Sequence, residues 1–224
     1  RGDVRDRPKL WTLLQNVDCV YHLAARVSVS ESLLYPREYN DVNVGGTVSL
    51  MEAMRDVGVG RVVFISSGAV YGDQGEQPLN ETAEPNPRSP YAVSKLAVES
   101  YVRTIGALWG IDTVSLRVFN AYGPGQHLPP SHPPVIPNFL RQGQRGGSIV
   151  VHGDVVRAMI AAATAPEINQ QVINIGGGRE TTIHEIANLA RELTGEKAQL
   201  IYAPRNDAGV SRMCADLTLG RKLL

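Results

Sequence analysis

Arg61–Val–Val–Phe–Ile–Ser–Ser67 and, after a polar interval, Ser89–Pro–Tyr–Ala–Val–Ser–Lys95 decide how this chain is read. The first is a short β-branched run, predicting a strand that ends at Ser67. In the second, Ser89 is a good N-cap and Pro90 a good first helical residue, so the segment predicts a helix with Tyr91 and Lys95 one turn apart on one face. That spacing sets an ammonium beside a phenol. A phenol with a pKa of about 10 is a poor base at neutral pH, and a neighbouring positive charge favours its ionised form. Open α/β sheets bind ligands at the carboxyl ends of their strands, which makes the Ser67 hydroxyl the donor that completes a site. A Tyr-x-x-x-Lys spacing alone also describes many solvated helix faces; its weight here comes from the company it keeps.

The chain has 224 residues, 43% of them hydrophobic, with 22 basic and 22 acidic side chains and a formal net charge of zero. It is long enough for one sizeable core or one and a half domains. Neutral balance without a basic cluster argues against a nucleic-acid partner held through phosphates. Cys19 and Cys214, each beside apolar residues, read as two buried thiols in a reducing compartment. His127 and His132 lack partners at metal spacing, and no metal site is expected. No apolar run approaches a membrane span and no signal peptide opens the chain, so a soluble cytoplasmic protein is expected.

The ordered set of strand, Ser66–Ser–Gly–Ala–Val–Tyr–Gly72, an acidic and proline-rich loop over 73–90, and Ser89–Pro–Tyr–Ala–Val–Ser–Lys95 resembles the extended short-chain dehydrogenase/reductase family. The likeness is to its NAD-dependent nucleotide-sugar epimerases and dehydratases and runs through nearly the whole chain. It implies an α/β, Rossmann-like doubly wound parallel sheet over 1–121. A smaller α/β substrate domain is implied over 122–224, with some segments returning to the first core. Members of the family open with a Gly-rich turn and two strand–helix units. No G-x-x-G-x-x-G occurs here, and the chain starts on Arg1–Gly–Asp–Val–Arg–Asp6 without methionine, so a preceding N-terminal segment is expected.

The resemblance also implies roles. Ser67, Tyr91 and Lys95 would be catalytic. Asp3, Val4, Leu23, Ala24, Ala25, Asn43 and Ser66, with Tyr91 and Lys95, would bind NAD; Asp3 would meet the adenine amino group, against a plain strand-end turn. Ala24 and Ala25 are small enough to let a dinucleotide approach the backbone. Asn43, costly on an apolar helix face unless its amide finds partners, would bind main chain near Tyr91. Phe119, Asn120 and Ser67 would contact a nucleotide-sugar, with Arg205 or its rival Arg212 on phosphate; Phe119 as core and Asn120 as a turn former is the competing view. Helices like the one carrying Tyr91 pair between subunits in the family, implying a homodimer.

Elsewhere, local pattern predicts a helix over 10–16 and a buried parallel strand over Val17–Ala25 in which His22 is a satisfied core histidine. An amphipathic helix carrying Val48, Leu50, Met51 and Met54 should close at Gly58. The 73–90 segment should be a surface loop, and the Tyr91 helix should run to about Leu108 with Ala97, Val98, Tyr101 and Ile105 inward. Strands are expected over Ile111–Asn120, Ser148–Asp154 and Gln171–Ile175, and helices from Val135, at Ile183–Leu193 capped by Thr182, and near Leu217–Leu224, with His184 solvated. At Gly153–Asp154 a strand runs straight into a helix where the family has a loop of about a dozen residues carrying a substrate arginine, so a gap is expected there.

Sugar 4,6-dehydratases in this family place Asp-Glu directly after the hydroxyl residue, and nucleotide-glucuronate decarboxylases a Ser-Glu. Here those positions are Gly68 and Ala69, neither of which transfers a proton. An epimerase needs only oxidation at C4, rotation and re-reduction. The expectation is therefore a nucleotide-sugar 4-epimerase, on a UDP-hexose. A dehydratase or UDP-glucuronate decarboxylase is the alternative, and a non-catalytic nucleotide-sugar-binding member the reading from a different class.

Overall fold

A computed structural model describes residues 2–121, 154–193 and 212–224. Four parallel strands lie in the order β1 (Cys19–His22), β2 (Arg61–Ser67), β3 (Asp112–Val118) and β4 (Gln171–Ile175). Parallel neighbours need crossovers, and helices supply them on both faces of the sheet. The doubly wound, Rossmann-like expectation holds.

Side-chain alternation along β2 separates the two faces. Val62 and Phe64 pack with Leu50, Met51 and Met54 of α4 (Gly46–Val57) and with Val98 and Val102 of α5 (Pro90–Trp109). Val63 packs with Val114 and Leu116 of β3, Ala158 and Ala162 of α6 (Asp154–Thr164) and Ile173 of β4. The C-terminal α8 (Thr218–Leu223) adds Leu219 and Leu223 to this second cluster. By the same alternation Ser66 falls on the α5 side.

Helix α4 ends at Gly58 in the left-handed conformation (φ 81°), as its sequence predicted. Thr182 caps α7 (Ile183–Leu193): its hydroxyl accepts from Glu185 N–H at 3.0 Å, and the Glu185 carboxylate takes the Thr182 N–H at 2.6 Å. His184 is exposed.

Several expectations need correction. Helix α1 spans Arg7–Leu13 rather than 10–16, because Asp6 caps Lys9 N–H and Pro8 fits the first turn. Strand β1 is shorter than expected and lies at an end of the described sheet, with Tyr21 and Leu23 exposed rather than buried. Tyr101 points to solvent, since the inward face of α5 runs through Lys95, Val98, Glu99, Val102 and Gly106. Loop 73–90 is not all surface: Leu79 is buried and bridges Ala215 in parallel, and Asn174 Nδ2 donates to its carbonyl at 2.9 Å. Cys214 is buried but Cys19 only half-buried; both are free thiols. His127, His132, Arg205, the Val135 helix and the 148–152 strand lie outside the described residues, as does Gly153 of the expected gap.

Candidate functional site

Strand β2 delivers two hydroxyls at its carboxyl end. Ser67 leaves the sheet as the N-cap of a 3-10 turn (Gly68–Tyr71), its Oγ accepting from Ala69 N–H at 3.2 Å. Across from it, Ser89 begins α5 by accepting from Ala92 N–H at 3.2 Å, which fixes Tyr91 in the first turn. Tyr91 is buried. Burial raises the pKa of its phenol, and a side-chain interaction with the Ser67 hydroxyl pulls the other way.

One turn on, Lys95 is 3% exposed. Its Nζ donates to the Ile65 carbonyl at 2.8 Å and lies 4.9 Å from the centre of the Phe64 ring. Burial lowers its pKa to about 8, against an upward pull from the Glu99 carboxylate. The Lys95 ammonium is seated on the Ile65 carbonyl, and the side-chain group that favours the ionised phenol is Ser67.

Behind Tyr91 the chain makes a π-helical turn (Asn40–Gly45), a rare geometry frequent at functional sites. It presents the buried Asn43, whose amide is fully used. Its Oδ1 accepts from Arg26 N–H at 2.8 Å, and Nδ2 donates to the Arg26 carbonyl at 3.1 Å and to Ser94 Oγ at 2.9 Å. Ser94 in turn donates to the Tyr91 carbonyl at 2.7 Å. Asn43 thus reaches the Tyr91 main chain through one hydroxyl rather than directly. The Tyr39 ring meets Tyr91 edge-on at 6.5 Å, under the Arg26 guanidinium, which pairs with Glu31 and Glu38.

His22 is a satisfied core histidine. Its Nε2 lies 2.8 Å from Thr47 Oγ1, and burial, helped by the Lys95 charge, lowers its pKa to about 4.

Other anticipated residues fall as follows. Asp3 is exposed and held by Arg5, at 2.9 and 2.6 Å, with its pKa lowered to about 2 by that pairing. Val4 packs directly on Gly46. Leu23 and Ala24 are exposed and Ala25 half-buried beyond the end of β1. Phe119 is buried against Tyr71, ring centres 5.9 Å apart. Asn120 is exposed and left-handed (φ 43°) at the carboxyl end of β3. Arg212 is bound at both ends of its fork by Glu180, at 2.6 and 2.7 Å.

Sequence reasoning missed a polar layer under the site. Ser66 Oγ donates to Glu99 Oε1 at 2.5 Å, and Arg117 grips both Glu99 oxygens at 2.9 and 2.7 Å. Although burial disfavours its charge, Arg117 is held above its ordinary pKa by Glu99. Its guanidinium lies 4.7 Å from the Tyr71 ring centre, and the Tyr71 hydroxyl donates to Asn174 Oδ1 at 2.8 Å. Two signals were present: Glu99 is four residues after Lys95, and Thr113, Ser115 and Arg117 form a polar row on a strand whose other face is apolar.

The residues at this end of the sheet fit a dinucleotide. Among the described residues the Lys95 ammonium donates only to Ile65, leaving hydrogens for ribose hydroxyls, and the small Ala24 and Ala25 follow β1. Residues 1–176 match the model of the NAD dependent epimerase/dehydratase family. The UDP-glucose 4-epimerase of Streptomyces lividans is 35% identical over 251 positions, spanning 100% of this chain and 76% of that protein. Among solved structures, the Thermus thermophilus UDP-glucose 4-epimerase in complex with NAD superposes with a TM-score of 0.86 at 30% identity, covering 100% of this chain and 78% of that one. The dTDP-glucose 4,6-dehydratase of Streptomyces venezuelae, with NAD bound, gives a TM-score of 0.88 at 29% identity, covering 99% and 72%. Epimerase and dehydratase neighbours therefore share this scaffold.

Proposed function

Because this chain belongs to the NAD-dependent epimerase/dehydratase family, we propose that it is a nucleotide-sugar 4-epimerase acting on a UDP-hexose. The observation that carries this choice is the packing at Gly68. A Cβ there would stand 2.9 Å from the Phe119 ring, so any side chain after Ser67, the acid a dehydratase uses included, would have to displace that ring. Ala69 next to it has no proton to give.

Bound NAD supplies reversible oxidation at the sugar's C4; Lys95, Tyr91, Ser66, Asn43, Asp3 and the Val4 and Leu23–Ala25 backbone would hold it. Tyr91 takes the proton from the C4 hydroxyl and gives it back to the same oxygen after the keto sugar has turned over in the site. The one hydroxyl hydrogen of Ser67 steadies the phenolate before the proton moves and turns to the C4 oxygen as that becomes a carbonyl. Lys95 keeps a positive charge beside the reacting centre and fixes the ribose. Asn43, through Ser94, holds the first turn of α5 so that Tyr91 keeps its distance from Ser67. Phe119 and Asn120 lie at the substrate end, with Arg205 or Arg212 as phosphate partner; Arg212 must first leave Glu180. Two copies pair through α5.

Supplying the protein with NAD and either UDP-glucose or UDP-galactose tests the reading. The expected outcome is one equilibrium mixture reached from both sides. A 4-keto-6-deoxy product without interconversion would make it a dehydratase. Gly68→Asp is expected to lower turnover at least tenfold by displacing Phe119 and to yield no dehydrated product.

A further inference from the structure

Two buried hydrogen-bonded relays meet at Asn43. On one side His22 Nε2 lies 2.8 Å from Thr47 Oγ1, and Thr47 Oγ1 donates to the Asn43 carbonyl at 2.5 Å. On the other, Asn43 Nδ2 donates to Ser94 Oγ at 2.9 Å, and Ser94 donates to the Tyr91 carbonyl at 2.7 Å. All five residues are buried. The first relay has a fixed direction. A carbonyl only accepts, and two oxygens 2.5 Å apart need a hydrogen between them, so the single hydroxyl hydrogen of Thr47 is spent on Asn43. Towards His22 the hydroxyl can then only accept, which puts a hydrogen on Nε2 of the imidazole. Each relay therefore runs from N–H to hydroxyl to carbonyl, and hydrogen bonds aligned head to tail strengthen one another.

The place of the first relay in the fold gives it a task. Where the π-helical turn Asn40–Gly45 hands over to α4, Gly46 N–H still bonds five residues back, to the Asp41 carbonyl. Thr47, the second residue of α4, reaches back four positions across that junction with its side chain. Back-bonding of this kind slightly destabilises a helix and often bends it, so it gives α4 itself nothing. What it holds is the main chain of the residue whose amide grips Arg26 and Ser94. We propose that Thr47, with His22 behind it, is a positioning residue for Tyr91: it pins the end of the π-turn so that the Asn43 amide keeps Ser94, and with it the first turn of α5, in place. The inference rests on the functional reading above for its effect on turnover, and on the hydrogen bonds alone for its effect on Tyr91.

The test is Thr47→Val, which keeps the branched shape and removes the hydroxyl, beside Thr47→Ser, which keeps the hydroxyl. Tyr91 is followed by NMR of 13C-labelled tyrosine rings, its signal assigned by its loss in Tyr91→Phe. The expected result is a folded Thr47→Val protein in which the Tyr91 signal moves and kcat falls at least tenfold at unchanged KM, with both restored in Thr47→Ser. In the wild type, 15N spectra should show the His22 hydrogen on Nε2. A brace that serves only folding would lower Tm and leave the Tyr91 signal and kcat where they are. That result, a change that Thr47→Ser does not restore, a Thr47→Val chain unable to fold, or a His22 hydrogen on Nδ1 would each overturn the proposal. The Tyr91 signal needs no turnover. A wild-type protein without epimerase activity would remove the functional reading and leave this inference to be decided by that signal.

Discussion

Burial holds the His22 imidazole neutral, its pKa lowered from 6.5 to about 4. As pH falls the unfolded chain takes up this proton before the folded one does. The associated stability is therefore present above about pH 6.5 and is lost as pH falls towards 4. Between pH 7 and pH 5 the loss is about 2 kcal/mol. His22→Gln, which keeps a polar group near Thr47 but does not titrate, should lack that component. Denaturant midpoints of both proteins at the two pH values check it; parallel losses would show that His22 is not the group responsible. Lys95 works in the same direction at higher pH. Its pKa is lowered from 10.5 to about 8, so the folded protein gains stability as pH rises through that interval, while turnover should fall above about pH 8 as the ammonium discharges.

At the scale of the element, α5 is held against β3 by the absence of a side chain. A Cβ on Gly106 would meet Thr113 Cγ2 at 2.4 Å and the Ile111 carbonyl at 2.7 Å. Helix propensity alone would make Gly106→Ala stabilising by about 1 kcal/mol. The clash is with β3 and backbone, so overpacking costing about 1–3 kcal/mol should dominate. Thermal melts should show a lower Tm, and turnover should fall as well, because the same helix carries Tyr91 and Lys95; a raised Tm would contradict the packing. Strand β2, the cap and first residue of α5, strand β4 and the Thr182 capping box were all legible in the sequence, because each is specified by residues within one or two turns of itself. What was not legible depended on contacts between distant segments. Tyr101 looked inward because its neighbours are apolar, but the phase of α5 is set by Gly106 meeting β3. Leu79 sits in a polar loop yet is buried by Ala215, 136 positions away in sequence and bridged to it. Among the candidate residues, Tyr91 and Lys95 stood out by spacing and Ser67 by its place at the end of β2, whereas the Glu99–Arg117 pair could not be weighed until β3 was placed beside α5. The seat of Lys95 on the Ile65 carbonyl likewise follows from burial against β2 and not from the four-residue interval.

Viewed whole, the described chain is a parallel sheet with Ser67, Tyr91 and Lys95 gathered towards the carboxyl end of β2, while α5 presents an unusual outer face. Val93, Tyr101 and Leu108 are exposed along one stripe of that helix. Pairing of two copies through it predicts a dimer by sedimentation, and Tyr101→Glu with Leu108→Glu should give a monomer; a wild-type protein that sediments as a monomer would contradict this. Among the described residues no helix is long and apolar enough to cross a membrane. On the proposed function, turnover depends on one phenol beside Ser67 at the end of β2. Tyr91→Phe removes the proton-transferring oxygen and little else, so the variant should fold and melt as the wild type does, and its interconversion of UDP-glucose and UDP-galactose should fall by about 100- to 10,000-fold. Wild-type turnover in Tyr91→Phe would contradict the account.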